Sequence, residues 1–91
     1  MAASSVTVAD LVARGLLRSN EPITMGRRGG PPRQATVRKD GAIVLASGQV
    51  CRTPSEAAKE AANVGSSDGW LKWRVPRLDN CRLDDLRKQL L

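Results

Sequence analysis

Six cations stand between residues 27 and 52, namely Arg27, Arg28, Arg33, Arg38, Lys39 and Arg52, against the single carboxylate of Asp40. Arginine outnumbers lysine there, and its planar guanidinium fork suits bidentate contact with a phosphate or a guanine edge better than a point charge does. Lys72 and Arg74 add two more beside Trp70, just after the turn signal Ser66-Ser67-Asp68-Gly69. An indole between that turn and basic neighbours is suited to stacking on an unpaired or flipped base, with Ser66, Ser67 and Asp68 beside it. Asp68 also suits plain turn formation. Trp73, alternating with Leu71 and Val75, reads instead as a packing centre.

Other chemistries are excluded. The 91 residues hold no histidine, so the usual general base is missing, and no Gly-rich phosphate loop, serine elbow or cysteine-histidine pair replaces it. No catalytic residue and no cofactor is expected. Cys51 and Cys81, thirty residues apart, cannot make a four-ligand zinc site within one chain, and read as free buried thiols, with one disulfide as the alternative. The net charge of +6 favours a polyanionic partner. Residues 1 to 26 sum to 0, 27 to 52 to +5 and 53 to 91 to +1, so the charge belongs to one third of the chain. No apolar run reaches the roughly 18 residues that span a bilayer, and no signal peptide opens the sequence. A cytoplasmic or nucleoid-associated protein is expected, nuclear in a eukaryote.

The elements that must position these groups are short. Two Trp, no Tyr and no Phe leave an aliphatic core, enough for a single domain over residues 6 to 91 behind a disordered start at 1 to 5. Thr7-Val8-Ala9-Asp10 is a capping box that opens a helix at Val8, ending near Leu17 or Arg18. Ile23-Thr24-Met25 suits a strand, and the glycines and prolines of 26 to 33 a loop. Asp40-Gly41 and Ser47-Gly48 then divide a three-stranded meander at about 34 to 39, 42 to 46 and 49 to 52. A two-residue turn at Asp40-Gly41 would set Val37 opposite Val44 and Thr36 opposite Leu45. Both faces carry apolar groups, so the pattern leaves the core face open.

Thr53-Pro54-Ser55-Glu56 combines a cap, a proline at the first helical position and an acid completing the box, and opens an alanine-rich helix that stops near Asn63. Trp70 to Val75 alternates as a strand, with Trp70, Lys72 and Arg74 on one face, ended by Pro76. Leu83, Leu86, Leu90 and Leu91 predict a C-terminal amphipathic helix with Asp84 and Asp85 in its first turn. The sum is an α+β fold: a small antiparallel sheet of about four to five strands, including the meander, packed against two to three short helices.

The order Asp10-Leu11, Gly15-Leu16-Leu17, Asp40-Gly41-Ala42-Ile43, Gly48-Gln49-Val50-Cys51-Arg52-Thr53-Pro54-Ser55-Glu56-Ala57-Ala58 and Gly69-Trp70-Leu71-Lys72-Trp73 resembles the RAMA domain, the restriction enzyme and adenine methylase associated module. The resemblance covers about residues 6 to 91. It implies a small α+β DNA-binding module, found beside restriction and methylation enzymes and regarded as a reader of methylated adenine. The chain departs from that pattern at Cys51, usually aromatic, at Asp68, where Asn is common, and over Gly26 to Arg33, which lacks the usual strand residues.

The expected function is non-catalytic binding of double-stranded DNA, with methylated adenine the mark that the resemblance implies. Arg27, Arg28, Arg33, Arg38, Lys39, Arg52, Lys72 and Arg74 would meet phosphates, and Ser66, Ser67, Asp68 and Trp70 would approach a base. The alternative is a protein-interaction module that docks an acidic partner or a groove through its basic face or C-terminal helix, and a protein partner or fusion to a larger enzyme is expected alongside DNA.

Overall fold

A computed structural model describes residues 6–27, 29–62, 65 and 68–90. The elements run α1 (Val8–Ala13), β1 (Glu21–Met25), β2 (Arg33–Val37), β3 (Ile43–Leu45), β4 (Val50–Cys51), α2 (Pro54–Ala62), α3 (Gly69–Lys72), β5 (Trp73–Val75), a 3-10 turn (Pro76–Leu78), β6 (Cys81–Arg82) and α4 (Leu83–Lys88). The six strands form one antiparallel sheet in the order β4-β3-β2-β1-β5-β6. This is the expected α+β arrangement, with a slightly larger sheet.

Strand alternation settles which face is the core. Ile23, Met25, Ala35, Val37, Ile43, Leu45, Cys51, Trp73 and Val75 point inward, and Leu11, Ala57, Ala58, Leu83 and Leu86 from the helices close over them. Pro22, Gln34, Val50 and Arg74 lie exposed on the opposite face. In this two-layer arrangement each helix buries one stripe and is stabilised mainly by that packing, since none exceeds nine residues.

The cap signals work as written. Thr7 Oγ1 accepts from the Asp10 amide while the Asp10 carboxylate accepts from the Thr7 amide at 2.8 Å. Thr53 Oγ1 accepts from the Glu56 amide at 3.0 Å, and the Glu56 carboxylate reaches the Arg52 amide. The first helix ends sooner than its periodicity suggests, at Ala13. A Schellman turn at Gly15 returns the Leu16 amide to the Leu11 carbonyl and the Gly15 amide to Val12, so Leu16 and Leu17 enter the core from a turn.

The meander register differs from expectation by one residue. Val37 faces Ile43 and Thr36 faces Val44, because the Arg38 amide bonds to the Ala42 carbonyl around a three-residue loop, Lys39-Asp40-Gly41. Gly41 takes φ +90°, the left-handed residue of a bulged turn, and packs so tightly on α1 that a Cβ would fall 2.6 Å from the Ala9 nitrogen.

The run expected as one strand from Trp70 to Val75 is divided. Asp68 caps a single helical turn by accepting from the Trp70 amide at 3.1 Å, and only Trp73–Val75 joins the sheet. Trp70, Lys72 and Arg74 therefore do not share a strand face. The β5 pairing with β1 sets Thr24 against Arg74, a register that would bring Ile23 opposite Val75 and then Pro22 opposite Pro76. Neither proline has an amide hydrogen, and the ladder stops there.

Candidate nucleic-acid interface

The charge cluster of residues 27 to 52 is spread over two ends of the sheet. Arg27, in the loop after β1, and Arg33, at the start of β2, lie at one end. Arg38, Lys39 and Arg52 lie at the other, beyond the rungs that join Val37 to Ile43 and Ile43 to Cys51. At roughly 3.3 Å per residue, the five residues of β2 hold the two ends about 16 Å apart. Lys72 precedes Trp73, the partner of Met25, and so belongs to the Arg27 end. Arg74 is on the open face, opposite Thr24 and Arg82. Arg28, Ser66 and Ser67 lie outside the described residues.

These cations are not equivalent. Arg33 is half-buried, and its Nε donates to the Ala61 carbonyl at 2.8 Å, which occupies it in capping the end of α2. Arg38 is paired with Asp40 at 2.8 Å. Arg74 donates to the Asn80 carbonyl at 3.2 Å but has no carboxylate partner among the described residues. Arg27, Lys39, Arg52 and Lys72 are exposed, and no ion pair engages them among the described residues.

The carboxylates, in contrast, are largely occupied. Asp10, Glu56 and Asp68 serve helix N-termini. Asp84 is bound by Arg87 and Lys88, and Asp85 by Arg82. Glu21, buried at the head of β1, receives Nε and an amino group of Arg77 at 2.7 to 3.1 Å, as well as the Arg18 amide. The Arg77 hydrogen bonds hold the Glu21 carboxyl below its ordinary value against the opposing effect of burial. Burial pushes both cysteine thiols up.

The two tryptophans have separate roles. Trp73 is fully buried, and its indole donates to the Pro54 carbonyl at 3.1 Å. Gly69 presses on the same carbonyl, where a Cβ would lie at 1.9 Å, and its amide donates to Ser55 Oγ at 3.1 Å. The Thr-Pro-Ser and Gly-Trp-x-x-Trp segments that carry the family resemblance are therefore locked to each other. Trp70 is half-buried, with the Arg87 guanidinium 4.5 Å from its ring centre. That cation was not legible as a partner of Trp70, since its place in the last helical turn is equally explained by the helix dipole.

A groove of about 480 Å³ opens at the Arg27 end, between the β1–β2 loop, the β3–β4 turn and the last turn of α2. Arg27, Arg33, Gln34, Ser47, Gln49 and Glu60 supply its polar lining, and the Gln49 amide donates to Glu60 at 3.3 Å. No signal along the chain marks this group, because its members come from three separate segments and have no characteristic spacing. A second furrow, about 450 Å³, runs along the open sheet face past Pro22, Thr36, Val44 and Pro76. Among the described residues no cluster is suited to hold a metal ion, and no helix is long and apolar enough to cross a membrane.

No curated protein matches the chain. The family model described as Restriction Enzyme Adenine Methylase Associated matches residues 2–91, essentially the whole length. The locked Pro54–Gly69–Trp73 centre and that match agree with the resemblance read from the motifs, and the chain belongs to the RAMA family.

Proposed function

We propose that the chain is a non-catalytic module that binds double-stranded DNA, with methylated adenine as the mark it reads. The observation that carries this reading is the set of exposed cations without carboxylate partners among the described residues: Arg27, Lys39, Arg52, Lys72 and Arg74. The two ends of β2 span the rise of about five base pairs, so cations at both can meet phosphates on one duplex. The family description adds a link to restriction enzymes and adenine methylases, which act on DNA. Such a module works where the DNA is, in the cytoplasm or on the nucleoid, and in the nucleus of a eukaryote.

In this reading Arg28 joins Arg27, while Arg33 and Arg38 contribute field more than direct contact because each already has a partner. Ser66, Ser67, Asp68 and Trp70 approach a base, Trp70 through the part of its ring that Arg87 and the core leave exposed. Replacing Arg27 and Arg52 together with alanine should weaken binding evenly across sequences and flatten the salt dependence by roughly 2 in log–log slope. An unchanged slope would remove these residues from the interface. Trp70→Ala should abolish any preference for methylated over plain duplex. A preference that survives would exclude the turn from base reading.

A further inference from the structure

We infer that the groove between the β1–β2 loop, the β3–β4 turn and the end of α2 holds a terminal phosphomonoester, the phosphate at the end of a DNA strand. The inference rests on the DNA-binding reading and goes beyond it, because it gives the module a strand end to bind as well as a backbone. Two guanidiniums meet in this one recess, and each is positioned by the fold. Arg33 is half-buried, and the bond from its Nε to the Ala61 carbonyl at 2.8 Å sets the plane of the fork while both terminal amino groups keep their donors. Arg27 folds back over its own loop, so close to Gly30 that a Cβ there would fall 2.5 Å from one of its amino nitrogens. No carboxylate pairs with either among the described residues.

The β3–β4 turn adds donors. Ser47 Oγ accepts from the Gln49 amide at 3.4 Å and keeps its hydroxyl hydrogen to donate, and Gln49 uses one of its Nε2 hydrogens on Glu60 at 3.3 Å. A phosphomonoester offers three terminal oxygens and roughly two negative charges near neutral pH, which two forks and a hydroxyl can match. A phosphate inside a strand carries one charge and has fewer oxygens to offer. Shape argues the same way. Phosphates inside a duplex stand on a convex backbone and are tethered on both sides, so they meet the exposed Arg27 more readily than the recessed Arg33. A strand end is tethered on one side alone and can turn into the groove, laying its last sugar against Pro32, Leu45 and Ala46. Glu60 is the opposing charge: two guanidiniums against one carboxylate leave the lining positive, and Glu60 weakens the hold on an anion.

The test uses a short DNA hairpin, labelled in its loop, whose one open end carries a 5′-phosphate, a 3′-phosphate or hydroxyls alone, with binding read by fluorescence anisotropy. The chain should bind at least one phosphorylated end about tenfold more tightly than the hydroxyl end, and the end it prefers identifies the strand polarity that the groove takes. Arg27→Ala and Ser47→Ala should bring that ratio toward one, whereas Glu60→Gln should raise it. Loss of fold does not produce such an opposition of sign, and taking a ratio cancels any general change in affinity. Equal binding of the three hairpins, a preference that both the Arg27 and Ser47 variants keep, or one that Glu60→Gln lowers overturns the assignment while DNA binding stands. Binding of none of the hairpins ends both readings together.

Discussion

At the scale of single residues, the Pro54 carbonyl is the point on which the helices and the fifth strand converge. It accepts from the Trp73 indole and leaves no room for a side chain at Gly69. Gly69→Ala must push α3 away from α2 and should cost about 2–3 kcal/mol in urea unfolding. Trp73→Phe keeps most of the ring but removes the indole's hydrogen bond to that carbonyl, at about 0.5–1.5 kcal/mol plus the cavity. Glu21 governs the acid side of stability. Its folded value is depressed, so its contribution is complete above the ordinary 4.5 and is lost as pH falls through the lowered folded value. Asp84, lowered first by its Arg87 hydrogen bond, and Asp85, lowered first by the Arg82 amide, act in the same direction. Arg77→Met should destabilise the fold at neutral pH, because it strands the buried Glu21 carboxylate, though by less than for a fully enclosed pair because Arg77 is 31% exposed. Its deficit should shrink as the medium is acidified below the Glu21 range, because the stranded carboxylate can then protonate. Denaturant curves at neutral and acid pH check both statements, and a deficit independent of pH would contradict them.

At the scale of elements, the turn between β2 and β3 sets the register of the meander. Gly41→Ala combines a left-handed φ with a collision at Ala9 and should cost about 2 kcal/mol, read as a lower denaturation midpoint with an unchanged slope. An effect within a few tenths of a kcal/mol would mean that α1 and the turn yield easily. What the sequence made legible follows from this contrast. Caps at Thr7 and Thr53 depend on neighbours three residues away and were readable. The bulge at Gly41 was not, because Asp-Gly serves two-residue and three-residue loops alike and only packing on α1 chooses between them. Trp70 to Val75 misled because a period-two pattern hides one helical turn, although Asp68 before Gly69 was a usable cap signal. The candidate cations were legible as a group in composition, whereas their division between two sheet ends depended on strand register. Cys81–Arg82 escaped notice as a strand, since two residues carry no period.

At the scale of the whole molecule, the sheet order keeps its two thiols apart. Cys51 lies on β4 and Cys81 on β6, the opposite edges, about 24 Å apart at roughly 4.8 Å per strand step. No intramolecular disulfide can bridge that distance, so thiol titration of the unfolded monomer should find both groups free even after mild oxidation. A crosslinked monomer would contradict the strand order. The same order distributes the cations along a body 39 Å in its longest dimension, so that the net charge of +6 is shared between two ends and the open face. The central claim is that those cations meet the phosphates of a duplex. Fluorescence anisotropy of a labelled duplex over a salt series tests it most directly. Five or six phosphate contacts predict that log affinity falls with log salt at a slope of about −4.5 to −5.5. Binding insensitive to salt, or no binding at low salt, would contradict the account.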